Sequence, residues 1–172
     1  MTTAELLDGA LVEEATKKSG LIWVRGACGV ERALWHVWHE GAAHVLGDGP
    51  GEQPLPGLSE GDTAVVTVRS KDKGGRLVGW QAKVVELGAG TQAWEAAVGE
   101  LKGKRLNAPD AESMTERWAR ECRVLRLEPV QGSGLVAASG GSLAAAPVAS
   151  PATTRGEIPA GLPRLLARRK KR

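Results

Sequence analysis

The chain has 172 residues, a mass of 18.0 kDa and a formal net charge of +3, which is room for one domain with an appendage. The charge is unevenly placed: residues 1–129 hold 16 basic against 19 acidic residues, and residues 130–172 hold seven basic residues against Glu157 alone. A mildly acidic body argues against a nucleic-acid-binding domain, and no run approaches the roughly 18–20 apolar residues of a membrane helix.

In chain order, residues 3–18 carry Leu6, Leu7, Ala10, Leu11 and Ala15 at helical spacing, with Thr2 or Thr3 as a cap, and predict an amphipathic helix ending near Ser19 and Gly20. Three short segments follow, LIWVRG, RALWHVWH and AAHVLG, each rich in Val, Ile, Leu or Trp and separated by glycine-bearing turns, which is the pattern of strands. Glu40 and Gly41 form a two-residue hairpin loop, with Gly41 supplying the positive φ. Residues 48–61, DGPGEQPLPGLSEG, read as a loop lying over the sheet. TAVVTVR (63–69) and LVGWQAKVVEL (77–87) are strands joined by the polar connector SKDKGGR, and TQAWEAAVGELKG (91–103) is a helix with an apolar face of Trp94, Ala97, Val98 and Leu101. LNAPDAESMTERWARE reads as a loop leading into a short helix, and CRVLRL (122–127) is a last strand ending before Pro129. Beyond it, residues 130–172 are rich in Ala, Gly, Ser and Pro and end in RRKKR, the composition of a disordered extension. Such an end would give only weak, nonspecific contact with nucleic acid.

All three histidines lie in LWHVWHEGAAHV, residues 34–45, beside Trp35 and Trp38. Strand alternation puts Trp35, Val37, His39 and His44 on one face and His36, Trp38, Ala43 and Val45 on the other. His36 and His39 therefore cannot share an ion, and His39 with His44 lacks a third ligand, so no metal site is expected. His39, next to the turn, is expected at the surface. Trp23, Trp94 and Trp118 are expected in the core, while Trp80 with Gln81 is a candidate for contact with a flat ring. The two cysteines, Cys28 and Cys122, match no metal or disulfide framework. With an N-terminus lacking an apolar signal region, they read as reduced thiols of a cytoplasmic protein.

The segments SGLIWVRG, ALWHVWHEGAAHVLG, TAVVTVRSKDKGGRLVGWQAKVVEL and CRVLRLEP, spanning residues 3–129, resemble the pyridoxamine 5'-phosphate oxidase-like proteins, in particular small actinobacterial members. The resemblance implies a mainly β fold, a six-stranded antiparallel split barrel with flanking helices, forming a homodimer. It further implies FMN or the deazaflavin F420 in the groove between subunits, and oxidoreductase chemistry. Carried onto this chain, the cofactor-binding residues would be Trp35, His36, Val37 and Trp38 along the ring, Arg69, Ser70 and Lys71 near the phosphate, and Trp80 with Gln81. The chain departs from the pattern in DGPGEQPLPGL (48–58), which lacks the serine and lysine that many cofactor-binding relatives carry there. Arg69, Lys71, Lys73 and Arg76 supply an alternative set of cations, although polar hairpin tips of this kind are also common as solvated turns. No catalytic acid, base or nucleophile motif stands out. A split barrel that binds a ligand, or only a second copy, without catalysis is the rival reading.

Overall fold

The computed structural model describes residues 2–70, 75–106, 110 and 112–136, within a compact unit spanning Met1–Ala138. The second unit, Ser139–Arg172, lies outside the described residues, and so do the basic C-terminal end and Lys71 and Lys73. The elements are α1 (Thr3–Lys18), β1 (Leu21–Arg25), β2 (Glu31–Trp35), β3 (Val37–His39), β4 (Ala42–Gly47), β5 (Thr63–Arg69), β6 (Arg76–Leu87), α2 (Gln92–Lys104), α3 (Met114–Glu121) and β7 (Arg123–Pro129).

The sheet is antiparallel and runs β2-β1-β5-β6-β7-β4-β3. Its two outermost strands, β2 and β3, are joined by the single residue His36, so the ends of the sheet meet there: this is an antiparallel split barrel with flanking helices. The expected strand Leu34–His39 is divided at His36 because its two halves serve opposite edges. β2 pairs with β1, β3 pairs with β4, and six expected strands become seven.

The β3–β4 hairpin has the expected register, Val37 opposite His44, Trp38 opposite Ala43 and His39 opposite Ala42. Glu40 (φ 45°) and Gly41 (φ 73°) both adopt the left-handed conformation that a two-residue turn of this twist requires.

Apolar packing forms two layers. Inside the barrel lie Ile22, Leu34, Trp38, Val45, Val66, Trp80, Leu125 and Leu127, closed by Leu55 and Leu58 from the loop after β4. On the outer face Val37, Leu46 and Val124 lie under α2 and α3, against Trp94, Val98, Leu101 and Trp118. Every residue of β4 is buried, since one face fills the barrel and the other packs beneath these helices.

Helix α1 differs from its sequence reading. A capping box starts it, Thr2 Oγ1 accepting from the Glu5 amide and Glu5 accepting from the Thr2 amide. The buried residues are Val12 and Thr16, one turn apart, whereas Leu6, Leu7 and Leu11 remain exposed. At the other end of the unit the chain stays with the sheet beyond Pro129. The Val130 amide donates to Gln81 C=O (2.9 Å) and the Val136 amide to Gly79 C=O (2.7 Å), satisfying the edge of β6 that β7 leaves unpaired.

Candidate functional site

The residues singled out in the sequence separate into distinct environments. Trp35 and Val37 face the helices α2 and α3. Trp38 and Trp80 meet edge to face inside the barrel, with centroids 6.2 Å apart, and Trp80 is 2% exposed, so its indole is part of the core. Gln81 is exposed on β6 and its carbonyl is taken by Val130. Ser70 donates its amide to Gly75 C=O, and Lys71 lies outside the described residues.

His36 occupies the seam where the sheet closes. Its Nε2 lies 3.0 Å from the Thr16 carbonyl of α1, tying the helix to the junction of β2 and β3. Burial lowers the imidazole pKa, the bond to Thr16 opposes that shift, and nearby Lys104 reinforces it, so the ring is neutral. The hydrogen bond then requires the proton on Nε2, and Nδ1 has no partner among the described residues.

On the outer face, His39 and His44 have ring centroids 5.9 Å apart. His44 is 1% exposed, and its pKa is lowered to about 4, by burial first and then by Arg126 and His39. The His39 side chain is half-buried rather than fully at the surface. Among the described residues no group of three or more His, Cys, Asp or Glu is disposed to hold a metal ion.

The seam between β2 and β4 is bridged by a side chain that the sequence did not mark. Gln53 Oε1 accepts from the Trp35 amide (2.9 Å), and Gln53 Nε2 donates to the carbonyls of Trp35 and Leu46 (3.0 Å each). The Trp35 amide and carbonyl are thus already paired. Next to it, Glu52 has a fully buried side chain that accepts from Arg105 Nε (3.1 Å), Arg117 Nη2 (3.1 Å) and Trp118 Nε1 (3.0 Å). This binds the loop after β4 to the C-terminal end of α2 and to the middle of α3.

Of the residues singled out, Arg69 lines two adjoining grooves and Ser70 one of them. An open groove of about 530 Å³ is lined by Leu11, Glu14, Ala15, Lys18 and Ser19 of α1 and its cap, by Val68 and Arg69 of β5 and by Leu77 of β6. It shares Ser19 and Arg69 with a neighbouring groove of about 260 Å³, lined also by Gly20, Leu21, Trp23 and Ser70. The walls are mostly apolar, and the cations are Arg69 and Lys18. Lys18 is exposed and pairs with Glu14 one turn away. The Arg69 guanidinium lies 3.9 Å from the centroid of the Trp23 ring and donates from Nη2 to Glu31 Oε2 at 3.1 Å. Trp23, expected in the core, is half-buried beneath this cation.

Apart from Arg69 and Ser70, sequence reasoning missed the groove. The exposure of Leu11 and Leu77 was its only available signal, and in the sequence each looks like an ordinary core residue. A smaller cavity of about 60 Å³ beside Trp80 and Gln81 has room for water-sized molecules only.

Among the described residues no helix is long and apolar enough to cross a membrane. No family model and no curated protein matches the chain. Among solved structures, the heme storage protein HutZ from Vibrio cholerae is similar in fold, with a TM-score of 0.52 at 12% identity over 73% of this chain and 90% of that one. A FAD and heme binding protein from Mycobacterium smegmatis aligns over 95% of each chain at 15% identity, with a TM-score of 0.43. At 12% identity the likeness to HutZ is one of fold.

Proposed function

We propose that this split barrel binds a planar cofactor of the flavin or deazaflavin type in the groove between α1, β5 and β6, works as a homodimer and serves as an oxidoreductase. One observation carries the reading: a groove of about 530 Å³ with apolar walls and a pre-positioned arginine. That volume falls in the range of roughly 300–1,000 Å³ usual for small-molecule sites. Leu11, Ala15, Val68 and Leu77 would exclude water from a flat ring, and Arg69 would orient its oxygen-bearing edge. A bound flavin supplies the hydride chemistry itself.

HutZ is a heme storage protein, and heme is also a flat ring with anionic groups. None of the three histidines lines either groove, however, which favours a flavin over a histidine-ligated heme. Exposed Leu7, Leu11, Leu21 and Leu77 around the grooves support a second copy as their cover.

The test is a set of titrations with FMN, deazaflavin and hemin, followed by fluorescence or absorbance. The reading expects a flavin or deazaflavin to bind with a Kd of about 10 µM or tighter, and Arg69→Ala to weaken it roughly tenfold. Absence of binding by both at about 100 µM would exclude the cofactor role. The non-catalytic dimer would then stand, a reading favoured by the Glu31 carboxylate that already meets the Arg69 charge.

A further inference from the structure

Helix α1 has little to hold it against the barrel. Of its 16 residues only Val12 and Thr16 are buried, and Val12 joins the core inside the barrel with half-buried Ala15 beside it. Leu6, Leu7 and Leu11 stay exposed. The ion pairs Glu13–Lys17 and Glu14–Lys18 run along the helix and add nothing to its grip on the sheet. Among the described residues one hydrogen bond ties α1 to the barrel, from His36 Nε2 to the Thr16 carbonyl at 3.0 Å. That carbonyl also accepts from the Ser19 amide at 3.2 Å, so His36 grips the last turn of the helix.

The closed arrangement suits a neutral imidazole only. His36 is 6% exposed, and its Nδ1 and the Thr16 hydroxyl are both buried without a hydrogen-bond partner among the described residues. A proton added to Nδ1 would create a second donor and a full charge, with nothing to accept the one or balance the other. Lys104 at the end of α2 is the charged group that acts on the ring, and it adds repulsion; no carboxylate among the described residues acts on it. On α1 the nearest charges, Glu13, Glu14, Lys17 and Lys18, balance one another in pairs. The Thr16 carbonyl at the helix end favours a cation, but burial outweighs it. Moving α1 away admits water to Nδ1 and to Thr16 Oγ1, and the imidazolium is then solvated.

We infer that α1 is a lid gated by His36: the neutral ring latches Thr16 and holds the helix closed, and a proton on Nδ1 releases it, opening the groove and the barrel interior beneath Val12. The groove walls that move with it are Leu11, Ala15, Lys18 and Ser19. The inference goes beyond the cofactor reading and stands apart from it, since it holds whatever the groove carries.

An open form that titrates near the ordinary value of 6.5, against a closed form that titrates below it, gains up to about tenfold in population between pH 7.5 and 5.5. Hydrogen exchange on the full chain at one protein concentration reads this as protection of the α1 amides, corrected for the pH dependence of exchange itself. Protection should fall about three- to tenfold in the unmodified chain and by less than about threefold in His36→Gln. The glutamine amide can still donate to Thr16 but takes no proton. At both pH values α1 should exchange faster than β5 and β6, whose amides open with the barrel. A second copy covering Leu7 and Leu11 would scale opening equally at both pH values and leave the ratio unchanged.

A fall of less than about threefold in the unmodified chain would overturn the inference, and so would the same fall in His36→Gln. Equal protection of α1 and the strands would overturn it too, because α1 would then open only when the barrel unfolds. If His36→Gln does not fold, ring-nitrogen NMR of the unmodified chain at pH 5.5 decides. A neutral His36 with its proton on Nε2 in the closed form supports the lid, and an imidazolium there overturns it.

Discussion

The barrel seam rests on one amide, and removing it has a calculable cost. Gln53 makes three hydrogen bonds, one accepted from the Trp35 amide and two donated to the Trp35 and Leu46 carbonyls, at 2.9–3.0 Å. At about 0.5–1.5 kcal/mol net for each bond, Gln53→Ala should lose roughly 2–4 kcal/mol. For a domain of this size that lowers Tm by roughly 10 °C. Gln53→Glu keeps the side-chain shape but turns both donors into acceptors facing carbonyl oxygens, so it should be at least as destabilising as Ala at neutral pH. Urea unfolding at pH 7, with midpoint and slope fitted together, measures both variants. A Gln53→Glu chain within about 0.5 kcal/mol of the original would refute the argument, because shape and not hydrogen bonding would then close the seam.

Acid should weaken the fold through its buried histidines. A histidine held neutral in the native state and ordinary when unfolded contributes stability above pH 6.5, and loses it as pH falls through the lowered native value. For His44, lowered to about 4, the loss by pH 4 reaches up to about 3 kcal/mol. His36 acts in the same direction. Urea midpoints at pH 7, 5 and 4 should fall less steeply in His44→Leu, and parallel slopes would contradict this. Glu52→Ala leaves the Trp118 indole N–H without its acceptor and takes one partner from Arg105 and Arg117, which keep the Gly51 carbonyl and Asp110, and should cost about 1–3 kcal/mol, seen as a drop in melting temperature. An unchanged melting temperature would contradict this. Leu11→Glu with Leu77→Glu should convert a dimer to a monomer in sedimentation velocity while keeping the circular dichroism of the fold. A dimer that survives both changes would place the interface elsewhere.

What could be read in advance followed local chemistry. The hairpin register was legible because Glu40-Gly41 sits where only a two-residue turn fits, and α2 because Thr91 caps a clear apolar stripe; the Thr91 hydroxyl accepts from the Trp94 amide. The division at His36 was not legible, since Leu34–His39 alternates without interruption and the break is imposed by closure of the sheet. Gln53 and Glu52 lie in a turn-rich loop, where their composition gives no hint that one replaces a strand partner and the other is fully buried. Helix α1 misled because its leucines suggested a core-facing stripe, whereas Val12 and Thr16 face the barrel and Leu7 and Leu11 are left for the groove side. Among the candidate site residues, Arg69 was legible as a cation near a strand end, but its engagement with Trp23 and Glu31 depends on the pairing of β1 with β2 and β5.

The most direct test of the cofactor role is an experimental structure of the full chain crystallised with riboflavin. The account predicts ring density between α1 and the ends of β5 and β6, beside the Arg69 guanidinium. Density along Trp35–Trp38 instead, or no ring in a crystal whose protein binds riboflavin in solution at another surface, would contradict it.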